Sequence, residues 1–459
     1  MAYSARELAV RALHAAETND AYANIAVGGI MEKYRPEGPE RALLTELCYG
    51  TLRRLNTIDW ILNKYVKKPL GEQNAWVRNI LRTAVYQILY LERIPEAAAC
   101  NEAVNLGKKY SPRQAGFINA VLRHVVREKG NTHFPELNDD PVEHIALTYS
   151  HPPWLVELWL KELGIEKTIR ACKADNLPPA VTIRTNLLHT SREALLESLQ
   201  NEEGLTVTPT SYAPEGISVQ GFKSISSLES FRKGLFFVQD ESSMLAAHAL
   251  SPSPGALVLD ACGAPGGKAT HIAELMGDTG RIITADTHAH RLALVTDNYR
   301  RLRINSIDTL LCDARELQER FKGTADFVLV DAPCSGLGVL RRKPDIRWRK
   351  VPDDIPRIAA LQKDILQCAA ACVRPQGVLV YSTCTISDRE NLSQITDFSA
   401  QNPDFILEDL RPFLSAELDT DGTLSEGYVQ IMPYQWMDGF FIARLRRKGF
   451  QRFFANNYH

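Results

Sequence analysis

Three absences limit what this sequence encodes: it has no CxxC pair, no long apolar run and almost no net charge. Its nine cysteines are scattered through 459 residues, which argues against a disulfide scaffold and a zinc cluster, so we expect reduced thiols and no bound metal. The formal net charge is -2, so the field of the whole molecule would not draw it to a polyanion. Any nucleic-acid binding must therefore come from local basic patches.

The sequence also lacks the segments that direct proteins to membranes or out of the cell. Arg6 and Glu7 stand where a signal peptide would need apolar residues, and no later stretch approaches membrane-spanning length. Apolar residues make up 45% of the chain and charged residues 24%, ordinary values for a globular protein. We expect a soluble, monomeric protein of the cytoplasm, and the length predicts roughly two to four domains.

Changes in residue pattern along the chain predict three domains. Apolar residues at helical spacing fill residues 4–130, which indicates an all-α domain, and the Gly, Asn, Asp and Pro residues that follow mark a connector. Short β-type words on either side of a helical segment then predict a small α+β module that ends near Asp240. We therefore place the domains at 1–140, 141–240 and 241–459.

In the third predicted domain, strand-like sequence segments alternate with helical ones. This alternation predicts a doubly wound, Rossmann-like α/β sheet, in which ligands bind at the carboxyl ends of the strands. The strand-like words are ALVLDA, RIITAD, DTLLCD, DFVLVD, GVLVYST and GFFIARL.

A glycine-rich run from Asp260 to Lys268 lies between the first of these strands and a helix. Taken alone, such a run is as easily a tight turn as a ligand-binding loop. Pro265 breaks the dinucleotide-binding pattern, and Ala269 replaces the Ser or Thr that a phosphate-binding loop has after its lysine. Neither NAD nor ATP is therefore favoured.

Two acidic residues at the ends of the next two strands favour a nucleoside ligand without a pyrophosphate. Asp286 lies where a carboxylate accepts hydrogen bonds from ribose hydroxyls, and Asp313 is placed to accept one from an adenine amino group. Either residue alone is more often a helix cap or a surface residue, so the argument depends on the series. S-adenosylmethionine is the common ligand of this kind.

Two further strands end in cysteine, and both thiols should face the same cleft. Cys334 follows Asp331 in DFVLVDAPCSG, and Cys384 lies in GVLVYSTCT. Buried cysteines are usually inert, but these two follow strand ends beside the cofactor loop. Methylation of carbon 5 of a cytosine needs a thiolate that adds to carbon 6, and the residues alone do not say which cysteine attacks.

The attacking thiol needs help, because a free thiol with a pKa of about 8.5 is mostly protonated at neutral pH. Ser387 and Glu390 have the spacing of a capping box, which predicts a helix that begins just after Cys384 and whose positive end favours the thiolate. Asp331 is placed to hold the base by its nitrogen edge, and Cys334 to help remove the proton from carbon 5.

Several motifs together resemble the Sun/Nop family of RNA cytosine-5 methyltransferases. They are DACGAPGGKAT, DAPCSGLGVLRRKPDIRW, YSTCTISDREN and DGFFIARLRR, and the words ERALLTELCYGTLRR and GFINAVLRHVVRE resemble a NusB-like N-terminal domain. The resemblance covers nearly the whole chain. It implies an all-α NusB-like domain, a small α+β RNA-binding extension, and a Rossmann-like class I methyltransferase domain that uses S-adenosylmethionine.

The resemblance also implies a substrate and roles for single residues. Cys384 is the nucleophile, Cys334 promotes release of the product, Asp331 acts beside them, and the substrate is one cytidine in small-subunit (16S) ribosomal RNA. The implied cofactor contacts are Cys262, Gly263, Ala264, Pro265, Gly266, Gly267, Lys268, Asp286, Asp313 and Asp331.

A basic segment, LRRKPDIRWRK, follows the Cys334 motif and is a candidate RNA contact. Its basic side chains surround a tryptophan, a composition that predicts phosphate contacts together with base stacking. The alternative is a solvated charged loop in which the tryptophan is a packing anchor. The candidate residues are Arg341, Arg342, Lys343, Arg347 and Trp348.

Two other functions fit parts of this pattern. A DNA cytosine-5 methyltransferase would attack from the Pro-Cys word and so use Cys334, which leaves Cys384 without a purpose. A non-catalytic ribosome-assembly or antitermination factor would bind RNA through the helical domain, but it would have no need of Asp331 and both cysteines. We therefore expect an RNA cytosine-5 methyltransferase.

Overall fold

The computed structural model describes residues 3–202, 204–222, 224–434 and 436–449. The chain divides into two compact units, one made of the residues up to Pro178 together with Leu340–Lys350, the other of Pro179–Val339 together with the residues from Val351 onward. None of the helices in the described ranges is long and apolar enough to cross a membrane.

The first unit is helical, as predicted for the N-terminal domain. The Ser4 hydroxyl caps the first helix by accepting a hydrogen bond from the backbone N–H of Glu7, and apolar side chains at helical spacing form one core. The predicted connector contains a short helix capped by Asp140. The helices are α1 (Ala5–Thr18), α2 (Ala23–Tyr34), α3 (Gly38–Arg53), α4 (Leu55–Asn63), α5 (Ala75–Tyr90), α6 (Glu96–Tyr110), α7 (Ala115–Arg127), α8 (Pro141–Thr148) and α9 (Pro153–Ala174).

The second unit begins with a small antiparallel sheet. Its elements are β1 (Val181–Thr185), α10 (Arg192–Gln200), β2 (Thr206–Pro209), β3 (Gly216–Gln220), α11 (Glu229–Arg232) and β4 (Phe236–Val238). The strand order is β2-β3-β1-β4, and Ile183 of β1 pairs with Ile217 of β3. Leu195 and Leu199 of α10 pack on this sheet in a core of their own, so the predicted α+β module is confirmed.

The rest of the second unit alternates strands and helices around a large sheet. Its elements are α12 (Glu241–Leu250), β5 (Leu257–Asp260), α13 (Gly267–Leu275), β6 (Arg281–Asp286), α14 (Ala289–Leu302), β7 (Ile307–Leu311), α15 (Gln318–Phe321), β8 (Ala325–Asp331), α16 (Ile346–Arg349, in the segment that belongs to the first unit), α17 (Asp354–Cys372), β9 (Val373–Thr383), α18 (Leu392–Gln401), β10 (Phe405–Leu407), β11 (Tyr428–Ile431) and β12 (Phe440–Arg447).

The large sheet has the order β10-β12-β9-β8-β5-β6-β7, and β11 pairs with β12. The five strands from β9 to β7 are parallel, whereas β12 runs antiparallel to β9. Side chains alternate between the faces of a strand, so Val258 and Leu259 enter separate cores on opposite faces of the sheet. Helices cover both cores, which confirms the predicted doubly wound Rossmann-like fold.

Parallel pairing brings the carboxyl ends of these strands to one edge of the sheet. Asp286 at the end of β6 pairs with Leu311 of β7, and Asp331 at the end of β8 pairs with Ser382 of β9. The segments that follow β5, β6, β7, β8 and β9 therefore meet at this edge, where open α/β sheets bind ligands.

Candidate active site

The glycine-rich run forms a turn over the end of β5 and leads into α13. The backbone N–H of Gly266 donates to the carbonyl oxygen of Gly263 across 2.7 Å, and Gly266 has a φ of +97°, a conformation that favours glycine. A Cβ atom on Gly263 would lie 2.2 Å from Oδ2 of Asp260 and 2.4 Å from Cγ2 of Thr284. The two glycines therefore let the loop lie directly over Asp260.

Side chains of α14 hold this loop and Asp286 together. Arg291 donates from Nη2 to the carbonyl oxygen of Ala264 across 2.9 Å, and its Nη1 lies 3.0 Å from Oδ2 of Asp286. The backbone N–H of His288 donates to Oδ1 of Asp286, which is 6% exposed. The carboxylate is thus fixed in orientation and still has lone pairs for further donors.

Asp313, the predicted acceptor for an adenine amino group, is held by Arg315. The Arg315 guanidinium donates to both carboxylate oxygens, from Nη2 across 2.6 Å and from Nε across 3.0 Å, and its backbone N–H also donates to Oδ1. These hydrogen bonds lower the pKa of Asp313. A contact from Asp313 to an adenine stays a prediction, and it requires a lone pair that Arg315 leaves free.

Asp260 is a candidate site residue to which the sequence reasoning gave no role. It is fully buried, and neither carboxylate oxygen accepts a well-aligned hydrogen bond within the described residues. Burial and the negative charge of Asp331 raise the pKa of Asp260 to about 7. The backbone N–H of Cys262 and the charge of Lys268 stabilise the carboxylate only in part, so this position suits a ligand that supplies a further cation or donor. Its place as the last residue of β5, directly before the glycine-rich loop, was the available signal.

Lys268 and Asp331 connect the start of α13 with the end of β8. Lys268 Nζ donates to Asp331 Oδ2 across 2.7 Å, and Ser382 Oγ donates to Asp331 Oδ1 across 3.0 Å. The Lys268 side chain is 10% exposed and that of Asp331 30% exposed. Asp331 therefore stays partly exposed to solvent at the sheet edge, and the positive charge of Lys268 balances its negative charge.

The structure brings Cys334 and Cys384 together. Their Sγ atoms lie 3.2 Å apart, and both residues are partly exposed. The backbone N–H of Gly338 donates to the carbonyl oxygen of Cys384, and that of Gly439 donates to the carbonyl oxygen of Gly338. The loops after β8, β9 and β11 are therefore joined around the two thiols.

The two sulfur atoms are too close to ionise together. The hydrogen bond to Cys384, followed by burial, raises the pKa of Cys334 well above its usual range. Two like charges at this separation repel strongly, so the first ionisation suppresses the second. The pair therefore carries at most one negative charge.

The helix predicted just after Cys384 begins later than the sequence indicated. Asp388–Glu390 forms a 3-10 turn that the Ser387 side chain does not cap, and α18 starts only at Leu392. The Glu390 side chain is fully buried and accepts hydrogen bonds from Ser335 instead of from its own helix start. The capping-box prediction is wrong because donors on a neighbouring loop take the carboxylate.

The prediction that Arg341 and Arg347 contact RNA is wrong, because both side chains are fully buried within the first unit. Arg347 donates to the carbonyl oxygen of Ser150 across 3.0 Å and to that of Asp175 across 3.1 Å. Burial lowers the pKa of Arg347 to about 10. This arginine is a structural anchor of the Leu340–Lys350 segment.

For Trp348, the structure supports the alternative interpretation of this segment, in which the tryptophan is a packing anchor. Its Nε1–H donates to the carbonyl oxygen of Leu52 across 2.8 Å, so the ring is a packing anchor of the first unit. Arg342 is half-buried and Lys343 is exposed. An RNA contact from Arg342 or Lys343 remains a prediction.

Arg184 of β1 is a second residue that the sequence reasoning missed. Its fully buried guanidinium donates to both Glu274 oxygens, across 2.8 and 3.0 Å, to the Thr270 hydroxyl, and to the carbonyl oxygen of Gly267. Lys268 follows Gly267 directly, so a residue of the small sheet holds the start of α13 in place. Its partners lie about 85 residues further along the chain, which no local pattern indicates.

Glu215, His248 and His271 form a buried cluster that the sequence did not indicate. Their potential ligand atoms lie within 4.8 Å of one another. His248 Nε2 lies 3.0 and 3.1 Å from the two Glu215 oxygens, and His271 Nε2 lies 2.9 Å from Oε1. The cluster links the residue before β3 to α12 through the His248–Glu215 contacts, and it brings His271 of α13 against the same carboxylate.

Three family models match the chain in succession. The NusB family matches residues 3–127, the RsmF/B-like ferredoxin-like domain matches residues 151–226, and the model described as 16S rRNA methyltransferase RsmB/F matches residues 247–446. The NusB match lies within the first unit and the methyltransferase match spans the large sheet, whereas the ferredoxin-like match covers α9 and most of the small antiparallel sheet.

Two solved structures are similar to the chain. The crystal structure of PH0851 has a TM-score of 0.81 and 27% identity, and covers 97% of this chain and 100% of that chain. The structure of NSun6 from Pyrococcus horikoshii, determined with SFG, an analogue of S-adenosylmethionine, has a TM-score of 0.58 and 26% identity, and covers 64% of this chain and 98% of that chain.

Similar proteins span almost the whole sequence. The "Probable ribosomal RNA small subunit methyltransferase B" of Bacillus subtilis is 39% identical over 97% of this chain and 99% of its own length. The ribosomal RNA small subunit methyltransferase B of Vibrio vulnificus is 34% identical over 94% of this chain and 99% of its own length. With the three family matches and this full-length similarity, the chain belongs to the RsmB/F family of 16S rRNA methyltransferases.

Proposed function

We propose that this protein transfers a methyl group from S-adenosylmethionine to carbon 5 of one cytidine in small-subunit ribosomal RNA, with Cys384 as the covalent nucleophile. The observation that carries the proposal is the 3.2 Å separation of the Cys334 and Cys384 sulfur atoms at the sheet edge. Two adjacent thiols suit a reaction in which one adds to the base and the other assists its release. The choice of RNA is supported by what the similar proteins are named for.

The residues at the ends of β5 and β6 fit the proposed cofactor. S-adenosylmethionine, when bound, supplies the methyl group as a substituent of a sulfonium. The backbone from Cys262 to Lys268 offers close approach because Gly263 and Gly266 have no side chains. We assign Asp286 to the ribose hydroxyls, and the buried Asp260, which accepts no well-aligned hydrogen bond within the described residues, suits the ammonium group of the amino-acid part.

The proposed chemistry at the base begins with Cys384. Its thiolate adds to carbon 6 and forms an S–C bond, and carbon 5 becomes nucleophilic enough to take the methyl group. The proton on carbon 5 then leaves, and its electron pair re-forms the double bond between carbons 5 and 6 while the S–C bond breaks. Cys384 returns as a thiolate, and one proton is released overall.

Cys334 is assigned to the second half of the reaction. The hydrogen bond between Cys334 and Cys384 is the largest cause of the raised Cys334 pKa. That cause disappears once Cys384 is bonded to carbon 6, so Cys334 then loses its proton to solvent more easily and accepts the proton from carbon 5. Asp331, held by Lys268 and Ser382, is assigned to the nitrogen edge of the base.

The experiment that tests this function is methyl transfer from labelled S-adenosylmethionine to unmodified small-subunit rRNA, tRNA and duplex DNA, followed by digestion to nucleosides. We expect label in 5-methylcytidine from the rRNA alone. Label in DNA would instead support the DNA cytosine-5 methyltransferase reading. Binding of the cofactor without transfer to free rRNA or to a ribosome-assembly intermediate would contradict the proposal and favour a non-catalytic assembly factor.

A further inference from the structure

A buried carboxylate beside the two thiols has no part in the reaction proposed above. Glu390 is fully buried, and its oxygens accept four hydrogen bonds. Two come from Ser335, from the backbone N–H across 2.8 Å and from the hydroxyl across 2.6 Å. The others come from the Thr385 hydroxyl across 3.3 Å and from Gln362 Nε2 across 3.2 Å.

The partners of Glu390 follow the two cysteines in sequence. Ser335 comes directly after Cys334, and Thr385 comes directly after Cys384. The Ser335 and Thr385 hydroxyls also lie 2.9 Å apart, so a single carboxylate closes a three-membered network across the two loops.

Neighbours of Glu390 extend this arrangement on both sides. Gln362 Nε2 also donates to the carbonyl oxygen of Pro333, the residue before Cys334. Asn391 accepts a hydrogen bond from the Thr383 hydroxyl across 2.6 Å and donates to the carbonyl oxygen of Thr385 across 3.0 Å. The residues on each side of both cysteines are therefore held from the Glu390 turn or from α17.

A capping role does not explain Glu390, because α18 begins at Leu392 and the Glu390 side chain points into the adjacent loop. A carboxylate without solvent contact is costly unless hydrogen bonds satisfy it, and removing it alone would leave its buried donors without a partner. The network therefore depends on the Glu390 carboxylate.

We propose that Glu390 is a positioning residue whose buried carboxylate holds the loops after β8 and β9 together and so fixes the spacing between the Cys334 and Cys384 thiols. The inference rests on the proposed function for its consequence in catalysis. The spacing itself is a property of the folded protein and is measurable without any methyl transfer.

The first test measures that spacing in the full chain. A dithiol oxidant that accepts two electrons should link Cys334 to Cys384 rapidly in the wild type, because disulfide formation demands close and well-oriented sulfur atoms. We expect the Glu390→Ala variant to form this link at least about 10-fold more slowly. The matched control is Asp326→Asn, a carboxylate at the opposite edge of the sheet that accepts from the backbone N–H of Leu257, and it should match the wild type.

The second test measures how the negative charge of Glu390 affects the reactivity of the Cys334 thiol. In a Cys384→Ser background, the rate at which Cys334 is alkylated is followed against pH, with and without Glu390→Gln. Removal of the negative charge should move the Cys334 profile to lower pH, because the charge of Glu390 is one of the causes that raise the Cys334 pKa. A residue with a merely structural role would leave this profile in place, since glutamine preserves the shape of the side chain.

The third test is steady-state methyl transfer by Glu390→Gln and Glu390→Ala. We expect kcat to fall by about 10-fold to 100-fold in the alanine variant and less in the glutamine variant, with KM for RNA and cofactor near the wild-type values. If the alanine variant does not fold, Ser335→Ala takes its place, because it removes one donor to the same carboxylate.

Two results together would overturn the proposal. Folded Glu390→Ala would link its two sulfur atoms at the wild-type rate, and Glu390→Gln would show an unchanged alkylation profile for Cys334. Absence of 5-methylcytidine with the wild-type enzyme is a different result. It would refute the proposed function, while the linkage and alkylation measurements would still decide the role of Glu390.

Discussion

Lys268 donates a hydrogen bond to Asp331 across 2.7 Å and thereby joins the start of α13 to the end of β8. We expect Lys268→Met to lower the melting temperature by about 5 °C, because it leaves the Asp331 charge unbalanced beside the buried Asp260 carboxyl. Asp331→Asn should cost less, and the double variant should recover most of the loss. Additive losses in the thermal melts would show that the two side chains do not depend on each other.

Gly263 is expected to tolerate no side chain. Its Cβ would lie 2.2 Å from Asp260 Oδ2, so Gly263→Ala must displace the loop that is assigned to the cofactor. Titration calorimetry with S-adenosylmethionine should show affinity reduced by at least about 10-fold. The control Gly116→Ala has open space around the added carbon and should bind as the wild type does.

The cluster of Glu215, His248 and His271 predicts a loss of stability in mild acid. Burial lowers the pKa of His271 to about 4, so this histidine is neutral beside Glu215 at neutral pH. Between about pH 6.5 and pH 4 the unfolded chain binds a proton at His271 that the folded protein excludes, so stability falls as the pH falls through this window.

The measurement is a set of thermal melts from pH 7 to pH 4 on the wild type, His271→Gln and the exposed-site control His133→Gln. The stability advantage of the wild type over His271→Gln should shrink by roughly 3 kcal/mol across the range. The control should follow the wild type at every pH. A constant difference between the wild type and His271→Gln would mean that His271 is not kept neutral by burial.

In the Leu340–Lys350 segment, we expect substitution of Arg347 to change the stability of the protein and substitution of Lys343 to change RNA binding. Arg347→Met leaves the carbonyl oxygens of Ser150 and Asp175 without their donor, and it should lower stability by about 2–4 kcal/mol. Lys343→Gln should leave the melting temperature unchanged and reduce the salt dependence of rRNA binding by about one phosphate contact. An unchanged salt dependence of rRNA binding in Lys343→Gln would show that Lys343 does not contact the RNA.

The parts of the fold that follow from short-range patterns were predictable. The short apolar run ALVLDA marked β5, and parallel pairing then placed Asp286, Asp331 and Cys384 at one sheet edge. The strands β10 and β11 were missed, because three or four residues carry too little periodicity to stand out from a loop.

The errors have a common physical origin. The charged sequence neighbours of Arg347 indicated a solvent-exposed basic side chain. Its hydrogen-bond partners Ser150 and Asp175 are instead more than 170 residues away in the sequence. Glu390 had the spacing of a capping residue, yet Ser335, 55 residues earlier, supplies its donors. Whether a charged side chain is buried depends on hydrogen-bond partners that are distant in the sequence, and no local pattern contains them.

The measurement that tests the central claim most directly is covalent trapping on rRNA in the presence of S-adenosylmethionine. If Cys384 attacks carbon 6 and Cys334 assists release, Cys334→Ala should accumulate a protein–RNA adduct that resists denaturation, and Cys384→Ala should form none. The wild type should show only a trace of adduct while it turns over. An adduct that accumulates in Cys384→Ala and is absent from Cys334→Ala would reverse the two roles and contradict the account.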